Sequence, residues 1–271
     1  MKKNMTLDVT PATGHPELDA AVQNLYTVFA RYPAPTFPLD VCLGCCVDPK
    51  VERELRELPL RSLTAHHFYE YNDSAKGQVQ PVGEVKYLLP RLLELLAQGA
   101  DLHHSTELYL DRLGRCDPQA FTPIERDAID RFAIAHFRAG LGQWPIDSSS
   151  LFMGENAFSI LLMWEIGGVD VSPLLVHWLS CDSETATLHY IDASHWDFWK
   201  SGGCFSNAFA DERGSLKDRL RDWMTDSGNR RVFAQRILAL VENGLPNDWL
   251  PLSCYADLRQ RAGEVFDALA D

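Results

Sequence analysis

Proline and helix-capping residues constrain the fold of this chain more than any other feature of its sequence. Pro16 precedes a stripe of apolar residues spaced i, i+4, i+7 and i+11, which predicts a helix that starts at a first-turn proline. The stripe consists of Leu18, Val22, Leu25 and Phe29. Asp48-Pro49 is a second start of this kind, and Thr122 with Glu125 forms a capping box. Because strand-like alternation is nearly absent, the sequence predicts an all-α fold.

The same signals divide the rest of the chain into short helices. The predicted architecture is stacked helical hairpins in a single compact domain, with residues 1–47 forming an N-terminal helix and a Pro-rich arm packed on a helical domain, residues 48–271. Residues 91–99 match residues 236–244 in apolar character, and both segments end in glycine. A repeat array would explain this match, although two ordinary amphipathic helices explain it more simply. The helix that starts at Thr122 is predicted to direct five residues to the core, namely Ile124, Ala128, Phe132, Ala135 and Ala139. Further helices are predicted near 48–58, 64–75, 82–98, 105–114, 150–166, 172–179, 183–199, 216–224, 230–242 and 253–270.

Charge and cysteine usage exclude several classes of function. The formal net charge of −13, from 38 acids and 25 bases, repels phosphate backbones and anionic lipid headgroups, so neither nucleic acid nor membrane is an expected partner. No apolar run reaches the roughly 18 residues of a membrane-spanning helix, and no apolar segment of a signal peptide follows the N-terminal lysines. Seven cysteines, mostly scattered, are typical of a reducing compartment, so the expected location is cytoplasmic. The expected oligomeric state is a monomer or weak dimer.

Three cysteines, Cys42, Cys45 and Cys46, form the only cluster of thiols in the sequence. Cys42 and Cys45 have the spacing of half a zinc knuckle, but a closed tetrahedral site needs four ligands. The remaining ligands would have to come from isolated histidines, namely His66, His67, His103 or His104. The sequence therefore predicts reduced, metal-free thiols, no cofactor and no catalytic residue, since phosphate loops, dinucleotide fingerprints and nucleophile elbows are also absent.

Residues 139–199 contain no Lys or Arg, whereas eight acids and five of the seven tryptophans lie there. Within this run, acids alternate with aromatic residues from 182 to 199. Aromatic anchors in an acidic field are typical of a surface that binds a basic protein. An amphipathic helix with core aromatics is the alternative interpretation. The predicted partner-binding residues are Asp182, Glu184, Asp192, Asp197, Tyr190, Trp196 and Trp199.

Parts of the chain resemble a widespread group of uncharacterised bacterial helical proteins. The likeness rests on the turn from Cys42 to Pro49, the helix 51–58 and the run Val85-Lys-Tyr-Leu-Leu-Pro-Arg-Leu-Leu-Glu-Leu-Leu96. In that group an N-terminal cysteine cluster precedes an acidic helix and a Leu-Pro-Arg-Leu-Leu-Glu-Leu core, with tighter cysteine spacing than the Cys-Leu-Gly-Cys-Cys found here. In size and acidity the chain is also similar to immunity proteins encoded beside type VI secretion toxins.

Together, the acidic surface and this second likeness predict a cytoplasmic, antitoxin-like immunity protein and not an enzyme. Its expected partner is a cognate secreted bacterial toxin, with a basic nuclease as the favoured kind. One alternative is a metal- or thiol-dependent enzyme that uses Cys42 and Cys45. A helical scaffold protein is the other.

Overall fold

The computed structural model describes residues 13–211, 213–244 and 252–270, with side chains from residue 257 onward in the last segment. Within these ranges the chain is helical and contains no strand, which confirms the predicted all-α fold. None of the described helices is long and apolar enough to cross a membrane. The helices are α1 (Pro16–Phe29), α2 (Pro49–Glu57), α3 (Ala65–Asp73), α4 (Val82–Ala97), α5 (Asp111–Gly114), α6 (Pro123–Leu141), α7 (Ala157–Ile166), α8 (Ser172–Ser180), α9 (Glu184–Ser194), α10 (Gly214–Thr225), α11 (Ser227–Asn243) and α12 (Leu252–Ala270).

The predicted helix starts are confirmed at the level of individual hydrogen bonds. The Asp48 carboxylate accepts from the backbone N–H of Lys50 at 2.7 Å, directly before α2. At the start of α6 the Thr122 hydroxyl accepts from Glu125 N–H, and the Glu125 carboxylate accepts from Thr122 N–H. All four apolar residues of the α1 stripe are buried. Local capping chemistry therefore determines where these helices begin.

The helix predicted over residues 105–114 is wrong in its length. A short 3₁₀ helix, Thr106–Leu108, is followed by the single turn α5. The side-chain amide of Asn72 donates to the backbone carbonyls of Leu102 and Tyr109. In a continuous helix the Tyr109 carbonyl would accept from a later N–H, so the side chain competes with helix propagation.

Two further predictions on helix boundaries and faces need correction. Helix α7 begins only at Ala157, because the Asn156 side chain caps it by accepting from Phe158 and Ser159 N–H, while turns occupy the residues before Asn156. Ile124, predicted to face the core, is 70% exposed. It lies at the margin of the buried face of α6, which in this first turn is occupied by Glu125.

The core is built around α7, which is apolar around its circumference and buried except for Glu165. Helix α1 packs against α4 and α6, and α9 packs against α7, α11 and α12. Two histidines are core residues: His136 on α6 and His189 on α9 both lie beside the Phe152 ring. Burial lowers the pKa of each to about 4, so both rings are neutral at neutral pH.

A buried arginine ties the N-terminal third together. Arg112 of α5 is 2% exposed, and its guanidinium lies 3.8 Å from the centroid of the Tyr71 ring. It donates to the Tyr71 carbonyl at the end of α3, to the Asp40 carbonyl at 2.9 Å and to the Gln80 side chain. One side chain therefore holds α3, the segment before α2 and the segment before α4 at fixed positions.

Helices α5 and α7 meet with no room for a side chain at Gly114. A Cβ atom at this position would lie 1.7 Å from the Ile166 carbonyl oxygen, which is backbone and cannot rotate away. Gly83, in the first turn of α4, is a useful contrast because nothing lies within 4 Å of its Cβ position.

We expect Gly114→Ala to lower the free energy of unfolding by at least about 2 kcal/mol, because α5 would have to separate from α7. The matched Gly83→Ala should instead be neutral or raise it by up to about 1 kcal/mol, through helix propensity alone. Urea unfolding followed by circular dichroism measures both values. Equal effects of the two substitutions would show that the close helix contact is not a constraint.

Candidate functional site

The three clustered cysteines lie on a loop that is anchored at both ends. Leu39 and Val47, on either side of the thiols, are buried. The Glu52 carboxylate of α2 accepts from Leu39 N–H at 2.9 Å, and the Ser74 hydroxyl at the end of α3 accepts from Cys42 N–H at 2.8 Å. The Cys42 carbonyl accepts from Cys46 and Val47 N–H, which closes one tight turn. These contacts hold the thiols in place without help from any bound group.

This turn brings the three sulfur atoms together at the surface. The Sγ of Cys45 lies 3.5 Å from that of Cys42 and 3.4 Å from that of Cys46, and all three lie within 4.8 Å of one another. Cys42 is partly exposed, and Cys45 and Cys46 are exposed. We refer to residues 42–46 as the thiol loop. It is open to solvent and to other molecules on the side of the sulfurs.

The thiols of the loop differ in acidity. A hydrogen bond from Cys45 Sγ–H, together with the backbone N–H groups of Gly44 and Cys45, lowers the pKa of Cys42 to about 7. Hydrogen bonding to Cys46 and Cys42 raises the pKa of Cys45 to about 11. A thiolate is the nucleophilic and metal-binding form of cysteine. Cys42 is therefore the reactive sulfur at neutral pH, and Cys45 is its hydrogen-bond donor.

The histidines expected to complete a metal site are engaged elsewhere. His66 pairs with Glu70 at 3.2 Å, and His67 Nε2 lies 3.3 Å from the Glu54 carboxylate. Among the described residues, the group of ligand atoms around the three sulfurs contains no histidine. The third group that lies close to the Cys42 and Cys45 sulfurs is instead Cys46, next to Cys45 in the chain.

His103 and His104 form a second cluster with Asp73, the last residue of α3. Both rings contact the same carboxylate oxygen, His103 through Nε2 at 3.4 Å and His104 through Nδ1. Ser105 N–H donates to His103 Nδ1, so the neutral His103 ring carries its proton on Nε2, the atom that faces the Asp73 carboxylate. A metal ion bound at Nε2 would force the ring proton onto Nδ1, which already accepts a hydrogen bond from Ser105 N–H. This cluster is better suited to joining the 102–105 segment to α3 than to holding an ion.

Three of the seven predicted partner-binding residues are exposed. Asp182 and Glu184 flank Ser183, whose side chain caps α9, and both carboxylates face solvent. Trp196 is 56% exposed and lies edge-on to the His195 ring. It belongs to a π-helical turn, His195–Trp199, that follows α9. Because the acids and Trp196 lie at opposite ends of this helical segment, they do not form one continuous patch by themselves.

The other four predicted residues are engaged within the fold. Tyr190 is 1% exposed and stacks on the Phe233 ring with centroids 3.7 Å apart, so it does not face a partner. The remaining three are partly buried: Asp192 is paired with Arg261 at 3.1 Å, Asp197 accepts from Asn156 at 2.7 Å, and Trp199 packs edge-on against Phe198.

The segment without Lys or Arg obtains positive charge from the C-terminal helices. Arg219 of α10 lies 2.7 Å from Asp170 and 3.6 Å from Glu165. Arg261 of α12 supplies the pair with Asp192. For these three acids, arginines of the same chain therefore supply the positive charge that was expected from a basic partner.

Sequence reasoning missed the side chains that position the thiol loop. Glu52 and Ser74 are polar residues of ordinary helical segments, and their bonds to Leu39 and Cys42 join positions far apart in sequence. The paired start Asp48-Pro49 was the one available signal, because it requires the chain to turn directly after the cysteines.

No protein-family model matches this chain, and no curated protein or solved structure matches it either.

We expect iodoacetamide to modify Cys42 faster than Cys45 or Cys46, with a rate that rises through a midpoint near pH 7, because only the thiolate reacts. Brief labelling between pH 5.5 and 9, followed by peptide mass spectrometry, measures the three rates. The chain unfolded in urea is the control, in which the preference should disappear. Identical pH profiles for the three cysteines of the folded chain would contradict the assignment.

Proposed function

We propose that the protein binds one thiophilic metal ion through the sulfur atoms of Cys42, Cys45 and Cys46. The observation that carries this proposal is the convergence of three exposed thiols on one pre-anchored turn, all within 4.8 Å of one another. Thiolates select ions such as Zn²⁺ and Cu⁺ over hard cations such as Mg²⁺. Metal-free thiols were expected from sequence because Cys42 and Cys45 form half of a zinc site without a second cysteine pair. The present proposal instead uses three sulfur ligands from one turn.

The sulfur spacing is close to what such an ion requires. With Zn–S bonds of about 2.3 Å, a tetrahedral site places its sulfurs about 3.8 Å apart. The separations of 3.5 and 3.4 Å from Cys45 to Cys42 and Cys46 need to widen by only a few tenths of an ångström, and the third pair lies within 4.8 Å. The backbone N–H groups of Gly44 and Cys45 already favour negative charge on Cys42. The other two thiols must release protons on binding, so affinity should increase with pH.

A site with three protein ligands leaves a coordination position open. Structural zinc sites are closed by four protein ligands, whereas sites that act on or exchange a ligand keep one position free. Hydrogen bonds to the side chains of Glu52 and Ser74 also anchor the thiol loop to α2 and to the end of α3. These features favour an ion that reacts or is handed to another molecule over an ion that only stabilises the fold.

We expect the reduced protein to bind one equivalent of Zn²⁺ or Co²⁺, the latter with the near-ultraviolet absorption of thiolate-to-cobalt charge transfer. Titration against a chromogenic chelator gives the affinity. Each of Cys42→Ser, Cys45→Ser and Cys46→Ser should weaken binding at least about 100-fold, since each removes a direct ligand. Cys204→Ser, at an exposed cysteine outside the loop, is the matched control and should bind like wild type. Binding that survives removal of all three loop thiols would refute the proposal.

Binding of a basic protein, such as a secreted bacterial toxin neutralised by this chain, is a second proposal. It is favoured by one observation: Trp196 exposes 56% of its surface although tryptophan is a preferred anchor residue at interfaces. The exposed carboxylates of Asp182 and Glu184 would steer a cationic partner. The internal ion pairs of Glu165, Asp170 and Asp192 remove part of the charge argument from this proposal.

For this second proposal, the product of the adjacent gene is the partner to test by binding kinetics. Trp196→Ala should weaken the binding free energy by about 2 kcal/mol or more, through faster dissociation. The double change Asp182→Lys with Glu184→Lys should slow association. Because these side chains are exposed, the melting temperature should stay at the wild-type value. Variants that are stable and bind as tightly and as quickly as wild type would rule out this surface.

A further inference from the structure

We propose that Cys42 and Cys45 form a disulfide when the thiol loop meets a hydroperoxide, and that this bond empties the metal site. The inference names a modification site and a means of regulation for the same loop, and its ion-release half rests on the proposed function. It is carried by the sulfur geometry, the exposure of the thiols and the path of the loop backbone.

The backbone of the loop already has the shape that a bond between Cys42 and Cys45 needs. The two sulfurs are 3.5 Å apart, and they lie at positions i and i+3 of a turn closed on the Cys42 carbonyl. The Cys42 carbonyl accepts from the N–H groups of Cys46 and Val47, and in a helix-like turn closed at i+4 the Cα atoms at i and i+3 are roughly 5–6 Å apart. Disulfides span Cα separations of about 4.4–6.8 Å, so bond formation needs side-chain rotation and little backbone movement.

The closer pair, Cys45 and Cys46, is not suited to a disulfide although its sulfurs are 3.4 Å apart. Adjacent residues joined by a trans peptide have Cα atoms about 3.8 Å apart, which is below the disulfide range. Cys46 is therefore not a disulfide partner of Cys45.

The reaction begins at the Cys42 sulfur. Cys42 and Cys45 face each other at 3.5 Å with both sulfurs reachable from solvent, and we write Cys42 as the thiolate that attacks. Its sulfur bonds to one peroxide oxygen, the O–O bond breaks, and the leaving oxygen takes a proton from water to give an alcohol, or water if the oxidant is hydrogen peroxide. Cys42 is then a sulfenic acid.

Cys45 completes the reaction. Its sulfur attacks the Cys42 sulfur, the S–S bond forms, and the S–O bond breaks. The departing hydroxide takes the proton of the Cys45 thiol and leaves as water. In sum, two thiols give up two electrons to one hydroperoxide and yield one disulfide. The neighbouring Cys45 is placed to capture the sulfenic acid before further oxidation.

The disulfide would act on the ion through simple loss of ligands. Two thiolates become neutral disulfide sulfurs, which leaves Cys46 as the single thiolate of the loop. One thiolate cannot hold Zn²⁺ against water, because the remaining sites would lack charged donors. Reduction by a dithiol reverses the change and restores all three ligands.

The test uses the full chain loaded with Zn²⁺ and treated with one equivalent of hydrogen peroxide. A chromogenic chelator reports released zinc, and peptide mass spectrometry locates the disulfide. We expect release of the bound zinc together with a Cys42–Cys45 disulfide, and re-binding after dithiothreitol. Cys204, an exposed cysteine without a thiol neighbour among the described residues, is the internal control and should oxidise about tenfold more slowly.

Variants separate the roles of the three thiols. On the ion-free chain, Cys46→Ser should still form the disulfide, whereas Cys42→Ser and Cys45→Ser should not. A Cys45–Cys46 bond, intermolecular disulfides or sulfinic acid at Cys42 as the main product would overturn the inference. Zinc that stays bound after peroxide treatment would overturn it while the proposed function stands. If wild type binds no zinc, the proposed function and the release step fail, and the ion-free assay still decides whether Cys42 and Cys45 are an oxidisable pair.

Discussion

The buried guanidinium of Arg112 is the interaction on which the N-terminal third depends. It donates to the backbone carbonyls of Tyr71 and Asp40, and the Glu84 carboxylate joins the same two residues by accepting from the Tyr71 hydroxyl and from Asp40 N–H. Asp40 in turn accepts from Gly77 N–H and Gln80 through its carboxylate. A planar group with several donors in a fixed fork can satisfy such carbonyls at once, which a lysine cannot. The position of the thiol loop follows from this arrangement, because the loop begins two residues after Asp40.

Helix starts could be predicted from sequence because their causes are local. A cap such as Asp48 or Thr122 acts on N–H groups two or three residues away, so the signal and its effect lie in one short window. The prediction failed where a distant group intervened. The Asn72 amide interrupts the segment around Tyr109 from 37 residues away, and at the start of α6 the buried position is taken by Glu125 and not by Ile124.

The candidate site could be predicted only in part, for a related reason. The sequence identified Cys42, Cys45 and Cys46 as a cluster, but the count of metal ligands depends on side-chain directions within a turn. Periodicity likewise could not separate a core aromatic from a surface one. Tyr190 and Trp196 have the same chemical character in sequence, yet one stacks on a neighbouring helix and the other is exposed where a π-helical turn changes the helical phase.

The pairing of central carboxylates with C-terminal arginines has a consequence for the order in which the chain can fold. Synthesis proceeds from the N-terminus, so residues 139–199 leave the ribosome before Arg219 and Arg261 exist. Until then Glu165, Asp170 and Asp192 lack their arginine partners, and α7 and α9 must assemble next to unneutralised charge. These carboxylates of the central segment are therefore neutralised late in synthesis and folding, and the last pair forms when α12 emerges and packs against α9.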